Sequence, residues 1–362
     1  GIRRLRIYKA VGNVAELITS ELPLVVRAGS VRLDGDARVA AAAIDVNATN
    51  VTLLGSSRLD ASGTASGGAC QGTDAGAANL YEGGGGGAGH GGRGGAAQGE
   101  TAGAGGCAHG SVDAPSDAGS AGGTGYWRGT TRPSFGGNGG GTVVVRLEGT
   151  LHLDANATIV AEGGAGASET SNDGRGGGGG AGGAARVHAS RMDGTGRISV
   201  DGGRGGDSGS QLAAGGGGAA GRVAVHCDDL DGGIVLSAAG GAGGVGGANA
   251  NYPQPQRGAP GTIFRAVGGT RTLLIEQNAS LRDADPPVDV SAIGGGAPLA
   301  LDVLSVVGAR LGLQRALTTA TLTVVDSAVR SAEAVAVSVG AHVSSSTWAL
   351  KGALSAGALS VV

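Results

Sequence analysis

Apolar positions along the chain come in short runs divided by turn residues, with little helical punctuation. Leu24-Val25-Val26, Val31-Arg32-Leu33, Val39 to Ile44 and Val51 to Leu54 are separated by Gly, Asp or Asn. In the tail, Leu301-Asp302-Val303-Leu304-Ser305-Val306-Val307 is followed by Thr321-Leu322-Thr323-Val324-Val325, then Val335-Ala336-Val337-Ser338-Val339, then Ala353 to Val362. Strands recurring roughly every 10–20 residues are expected of a sandwich, a barrel or a solenoid. One short helix is expected near Ala15 to Leu22.

The middle of the chain repeats. Thr142-Val143-Val144-Val145-Arg146-Leu147, Thr150-Leu151-His152-Leu153 and Thr158-Ile159-Val160 precede a glycine tract. Ala185-Arg186-Val187-His188-Ala189 with Arg197-Ile198-Ser199-Val200, and Arg222-Val223-Ala224-Val225-His226 with Ile234-Val235-Leu236, each precede another. A fourth unit opens at Thr262-Ile263-Phe264-Arg265. Strand, turn, strand and glycine run at a fixed period read as stacked units that bury a surface only against their neighbours.

Glycine divides the chain into three. Residues 1–60 hold 5 Gly, 61–260 hold 63 and 261–362 hold 11. This gives an N-terminal β segment (1–60), a glycine-rich repeat domain (61–262) and a C-terminal β-repeat segment (263–362). Within the tracts the other residues fall three apart: Ala239, Ala242, Val245 and Ala248; Asp201, Arg204 and Asp207; His90, Arg93 and Ala96; Phe135 and Asn138. A flexible linker needs no phase, so this period predicts threefold left-handed helices rising about 3.1 Å per residue. Such a helix makes no internal hydrogen bonds. Its N–H and C=O groups must bond to neighbours, which approach closely enough only where Cβ is missing.

Units such as Gly-Gly-Gly-Thr-Val-Val-Val-Arg-Leu (139–147) and Gly-Gly-Gly-Gly-Ala-Ala-Gly-Arg-Val-Ala-Val (215–225) resemble the glycine-rich repeat regions of large secreted surface proteins of protists and plants. The threefold phasing is similar to the polyglycine II bundles of phage tail-fibre adhesins and of a glycine-rich antifreeze protein. The resemblance implies an extracellular structural or adhesive module and carries no catalytic residues.

Composition narrows the function. With 79 Gly but only 2 Phe, 2 Trp and 4 Tyr, a thick core of large side chains cannot be built. A net charge of −3 with 15% charged residues makes no single-sign field for nucleic acid or anionic membrane. No apolar run approaches the length of a bilayer span, so direct membrane insertion is not expected. The ends, Gly-Ile-Arg-Arg and Leu-Ser-Val-Val, read as those of a piece of a longer polypeptide.

Four sequons, at Asn47, Asn50, Asn156 and Asn278, are candidate N-glycosylation sites. Three sit beside strand-like segments, at expected turns or edges. Cys70 and Cys107 bracket a glycine-rich segment that a disulfide would close; the alternative is small buried residues without chemistry. Cys227 is then free and buried, or paired with another chain. Gly202 to Asp207 matches only the start of a calcium-binding nonapeptide, and the Cys and His spacings lack a second pair for zinc. Asp228 with Asp229, and Asp283 with Asp285, could serve a polysaccharide-cleaving enzyme but sit in turn contexts. Tyr126, Trp127 and Phe135 gather near Pro133 as a possible ligand or partner contact.

The expected fold is all-β: a repetitive β-solenoid or elongated β-sandwich with a layer of polyglycine II helices. The expected function is structural, in an extracellular fibre, cell-surface coat or flagellar-hair-like appendage, with self-association, N-linked glycans, no cofactor and no catalysis. An adhesin or carbohydrate-binding module is the alternative, and a polysaccharide-active β-helix enzyme a third.

Overall fold

A computed structural model describes residues 2–8, 16–19, 23–75, 83–126, 133–169, 174–209, 213–246, 253–277, 288–289, 299–313, 317–331, 334–350 and 354–361. Every regular element among them is a β-strand, so the chain is all-β. No helix among them is long and apolar enough to cross a membrane. The expected helix at 15–22 is a strand over its described part, Glu16–Thr19, because its backbone pairs in register with Arg38–Ala41. Tertiary pairing overrides local preference there.

The largest sheet has fourteen strands. These are β1 (Ile2–Tyr8), β3 (Leu24–Asp34), β5 (Ala43–Leu53), β7 (Thr142–Leu147), β8 (Thr150–Leu153), β10 (Ala184–Gly194), β12 (Arg222–Leu230), β14 (Thr262–Val267), β15 (Thr270–Glu276), β17 (Leu299–Val307), β19 (Leu317–Val325), β21 (Val335–Ser344), β23 (Leu354–Ala356) and β24 (Leu359–Val361). A six-stranded sheet holds β2 (Glu16–Thr19), β4 (Arg38–Ala41), β6 (Arg58–Asp60), β9 (Thr158–Val160), β11 (Arg197–Ser199) and β13 (Val235–Ser237). A third, of four strands, holds β16 (Val288–Asp289), β18 (Arg310–Leu313), β20 (Ala328–Ser331) and β22 (Thr347–Leu350).

The chain alternates between sheets, and strands stack in parallel on those of the previous pass. Leu24 pairs with Ile44 and Leu299 with Leu317, so a pass takes about 20 residues at either end. In the middle, Thr142 pairs with Ala184, Ala184 with Arg222 and Arg222 with Thr262, about twice that length. The added residues are the glycine tracts. A larger excursion, 61–141, separates β5 from β7, whose Ala43 and Thr142 are register partners.

Side chains alternate across each strand, and two cores form on opposite faces of the large sheet. Val31, Leu33, Val46, Leu151, Val187 and Val225 face Leu59, Ile159 and Ile198 of the six-stranded sheet. Residues 1–60 and 61–262 therefore share one core. On β14, Ile263 points into it while the next residue, Phe264, joins a second core with Leu273, Leu304, Leu322 and Val329. Between them lies the one antiparallel pairing of named strands, β14 with β15. Its two-residue turn is Gly268-Gly269 at φ +53° and +86°, the left-handed pair that a type I′ hairpin requires. Strand direction reverses there, close to the expected boundary at 263.

Candidate functional site

From β9, β11 and β13 the chain runs into leading tracts 161–169, 200–209 and 238–246. It returns through 174–183, 213–221 and 253–261 to β10, β12 and β14. Leading tracts bond to one another at every third residue. Gly163, Gly166 and Glu169 donate N–H to the carbonyls of Asp201, Arg204 and Asp207 at 2.8, 2.9 and 3.1 Å. Gly202, Gly205 and Ser208 donate likewise to Ala239, Ala242 and Val245 at 2.9, 2.9 and 3.0 Å.

Residues 176–183 lie at the centre of this network, and their N–H groups point in three directions by turns. Gly176, Gly179 and Gly182 donate to Ala213, Gly216 and Ala219 of the next return tract, each at 2.9 Å. Gly177, Gly180 and Gly183 donate to Ala167, Gly164 and Ala161 of the preceding leading tract at 2.9, 2.9 and 2.7 Å. Gly178 and Ala181 donate to Gly123 and Ser120 of the 61–141 excursion at 2.8 and 3.0 Å. Gly85–His90 rotates in the same way among 176–179, 70–73 and 92–95, and Gly91 then donates to Ala220. A Cβ on Gly178 would collide with the Gly86 carbonyl oxygen, and one on Gly85 with that of Gly123. The close approach is what demands glycine there.

Not every third-position side chain reaches solvent. Arg204 is exposed and ion-paired with Asp207; Val245 is exposed. His90 is fully buried, its Nδ1–H donating to the Gly182 carbonyl at 2.7 Å. The His109 ring lies 4.6 Å away, and its Nε2–H donates to Ala118 O at 3.2 Å. Arg222, also fully buried, donates from Nε to His109 O (2.9 Å) and from a terminal nitrogen to Thr262 Oγ1 (3.1 Å). Burial, then the neighbouring His109 and Arg222, push the His90 pKa down to about 3; burial also lowers that of His109. Both imidazoles are thus neutral at ordinary pH. Cys70 and Cys107 form a disulfide that closes the segment carrying His90.

Over β3 to β12, the face of the large sheet opposite the first core carries a polar row. Register places Arg27, Asn47, Arg146, His188 and His226 side by side on β3, β5, β7, β10 and β12. An open groove of about 500 Å³ is lined there by Asn47, Arg146, Glu148, Arg186, His188 and Ser190, together with Val145 and Leu147. Arg146 is held by Asp45 at 2.6 Å. His226 donates from Nε2 to Asp113 O at 2.8 Å, and burial lowers its pKa. Further along the strands, Asp154, His152, Asp193, Arg191, Asp229 and Asp231 form a continuous ion-pair chain across β8, β10 and β12. The hydrogen bond to Asp193 raises the His152 pKa.

Asn47 and Asn50 are exposed but lie within β5, with strands on both sides, not at turns or edges. Alternation along β5 turns Asn47 outward between buried Val46 and Ala48, then slips by one residue at Thr49 and Asn50, which are both exposed. Asn50 Oδ1 accepts the Thr150 N–H at 2.8 Å. Asn156 is exposed in the turn before β9. Tyr126 and Phe135 are 38% and 66% exposed. Asn278, Trp127, Asp283 and Asp285 lie outside the described residues. Asp229 is taken up by Arg191, and Asp207 by Arg204 and the Val245 N–H. No group of three or more metal-ligating side chains forms among the described residues. Cys227 is a buried thiol of the first core, its pKa raised by burial.

Sequence reasoning missed His90, His109 and Arg222 as a cluster. They are scattered over 133 positions, and the only signal is that His90 holds a third position in a tract otherwise nearly all Gly and Ala. Comparison with protein-family models, curated proteins and solved structures yields no match.

Proposed function

We propose that this chain is a structural module: stacked β coils of a solenoid carrying a layer of polyglycine II helices, in which rigidity is the activity. The observation that supports it is the three-way rotation of N–H donors along 176–183. A left-handed helix of three residues per turn presents its backbone groups in that rotation. The module belongs, on this reading, to an extracellular fibre, cell-surface coat or flagellar-hair-like appendage. It associates with copies of itself and carries an N-linked glycan on at least one of Asn47, Asn50, Asn156 and Asn278. The Cys70–Cys107 disulfide suits an oxidising compartment. No catalysis, cofactor, metal or nucleic acid enters the proposal.

Native-state amide exchange tests it. Amides of 84–91 and 176–183 are expected to be protected as strongly as those of β7 and β10. Exchange at random-coil rates in those tracts defeats the proposal. Electron microscopy of concentrated protein is expected to reveal fibres or bundles, and persistent monomers count against self-association. A second reading, an adhesin, draws on the exposure of Phe135 and Tyr126. It requires glycan-array binding that is lost in Phe135→Ala.

A further inference from the structure

The arginines of the first core's two sheets are unevenly matched. On β3 to β11, Arg32, Arg38, Arg58, Arg146, Arg191 and Arg197 each hold an aspartate. Only Arg27 and Arg186 have no carboxylate partner among the described residues. Both project from the outer face, at or beside the same groove. Arg186 lines it directly, and Arg27 stands next to Asn47 in the register row that crosses it.

The groove has a direction. Along the strands, Arg186 stands at one end; Asn47, Arg146 and His188 cross the middle; Glu148 and Ser190 close the other end. Ser190 Oγ donates to the Glu148 backbone carbonyl at 2.7 Å, leaving the Glu148 carboxylate as the one acidic side chain of the lining. The Asn47 amide makes no hydrogen bond among the described residues. Strands stack at about 4.8 Å, so Arg27 and Arg146, two strands apart in one register row, leave the sheet about 10 Å from one another. The opening falls within the ~300–1,000 Å³ of sites that hold small ligands.

We propose that this groove binds a polysaccharide bearing sulfate or carboxylate groups, laid across β3, β5, β7 and β10. Two unmatched guanidiniums supply the attraction, and planar forks suit such anions in bidentate fashion. The Asn47 amide and His188 ring supply bonds to hydroxyls. A single-stranded nucleic acid fits less well, because no aromatic side chain lines the groove to stack a base and the chain is net negative. The inference does not depend on the glycine layer. It meets the structural reading at one residue: a glycan on Asn47 would occupy the groove and exclude the polymer.

The test uses the full chain from a bacterial host, in which Asn47 is unmodified. Titration calorimetry with dextran sulfate and polygalacturonate is compared with uncharged dextran and single-stranded DNA. At least one polyanionic glycan is expected to bind, more weakly as salt rises, while dextran does not. Arg27→Ala and Arg186→Ala should each weaken binding by about fivefold, the upper end for an exposed ion pair. Glu148→Gln should strengthen it by about twofold, a gain that loss of structure cannot mimic, and Arg93→Ala, an exposed arginine in a glycine tract, should leave it unchanged. Failure of both polyanions to bind, tighter binding of DNA, or equal weakening by Arg93→Ala overturns the proposal.

Discussion

The β-core and the glycine layer are both dry, and they achieve it by opposite means. In the core, Leu59, Leu151, Leu153, Ile159 and Ile198 are buried to 2% exposure or less. Each contributes about 1.5–3 kcal/mol by leaving water. In the layer, residues 176–183 are equally buried but carry almost no side chain. Each glycine costs about 0.5–1 kcal/mol more to order than alanine. Backbone hydrogen bonds, at about 1 kcal/mol net each, offset this only when nearly all are made together. A core fails when atoms are removed from it. A backbone lattice fails when atoms are added.

The largest test of that contrast is Gly178→Val, whose Cβ meets the Gly86 carbonyl. It is expected to cost about 5 kcal/mol or to prevent folding, by parting three neighbouring tracts, and urea denaturation measures it. Next is acid. His90, with its pKa near 3 in the fold, takes up a proton in the unfolded chain below about pH 6.5. The unfolded state binds more protons in that window, so stability falls as pH falls. The loss approaches about 1.4 kcal/mol per pH unit, or about 4 kcal/mol by pH 3.5. Melts of His90→Gln should have a flatter acid limb. Removing the disulfide with Cys70→Ser and Cys107→Ser, which frees a loop spanning 37 positions, should cost about 3–4 kcal/mol. The smallest effect belongs to the core: Ile159→Val, the loss of one methylene at a fully buried site, should cost about 1 kcal/mol. If Gly178→Val proves no worse than Ile159→Val, the two regions do not differ as described.

Much of the strand pattern was legible because alternation and turn residues are local. Thr142–Leu147, Ala185–Ala189 and Arg222–His226 were recognised as equivalent, and they stack in register. Legible too was the period of the tracts, since residues as unlike as Asp201, Arg204 and Asp207 shared one spacing. Which tract bonds to which was not. Gly178 meets Gly123 and Gly86 across long stretches of chain, and glycine has no side chain to encode a partner. Asn47 and Asn50 were misplaced because polar residues on the outer face of a strand look locally like a turn. The reversal at Gly268-Gly269 passed unnoticed because Gly-Gly is common elsewhere in this chain. The groove was illegible for a further reason: its residues belong to three strands that only the register brings together.

The gap between β5 and β7 sets a timetable for synthesis. Ala43 cannot meet Thr142 until nearly a hundred further residues have been made. At about 5–20 residues per second, the growing chain holds β5 as an open edge for about 5–20 s. During that interval Asn47 and Asn50 stand on an unfinished border, with one side of their strand unpaired. Edges of this kind invite misassociation, and an early glycan on either asparagine would guard this one until its proper neighbour arrives.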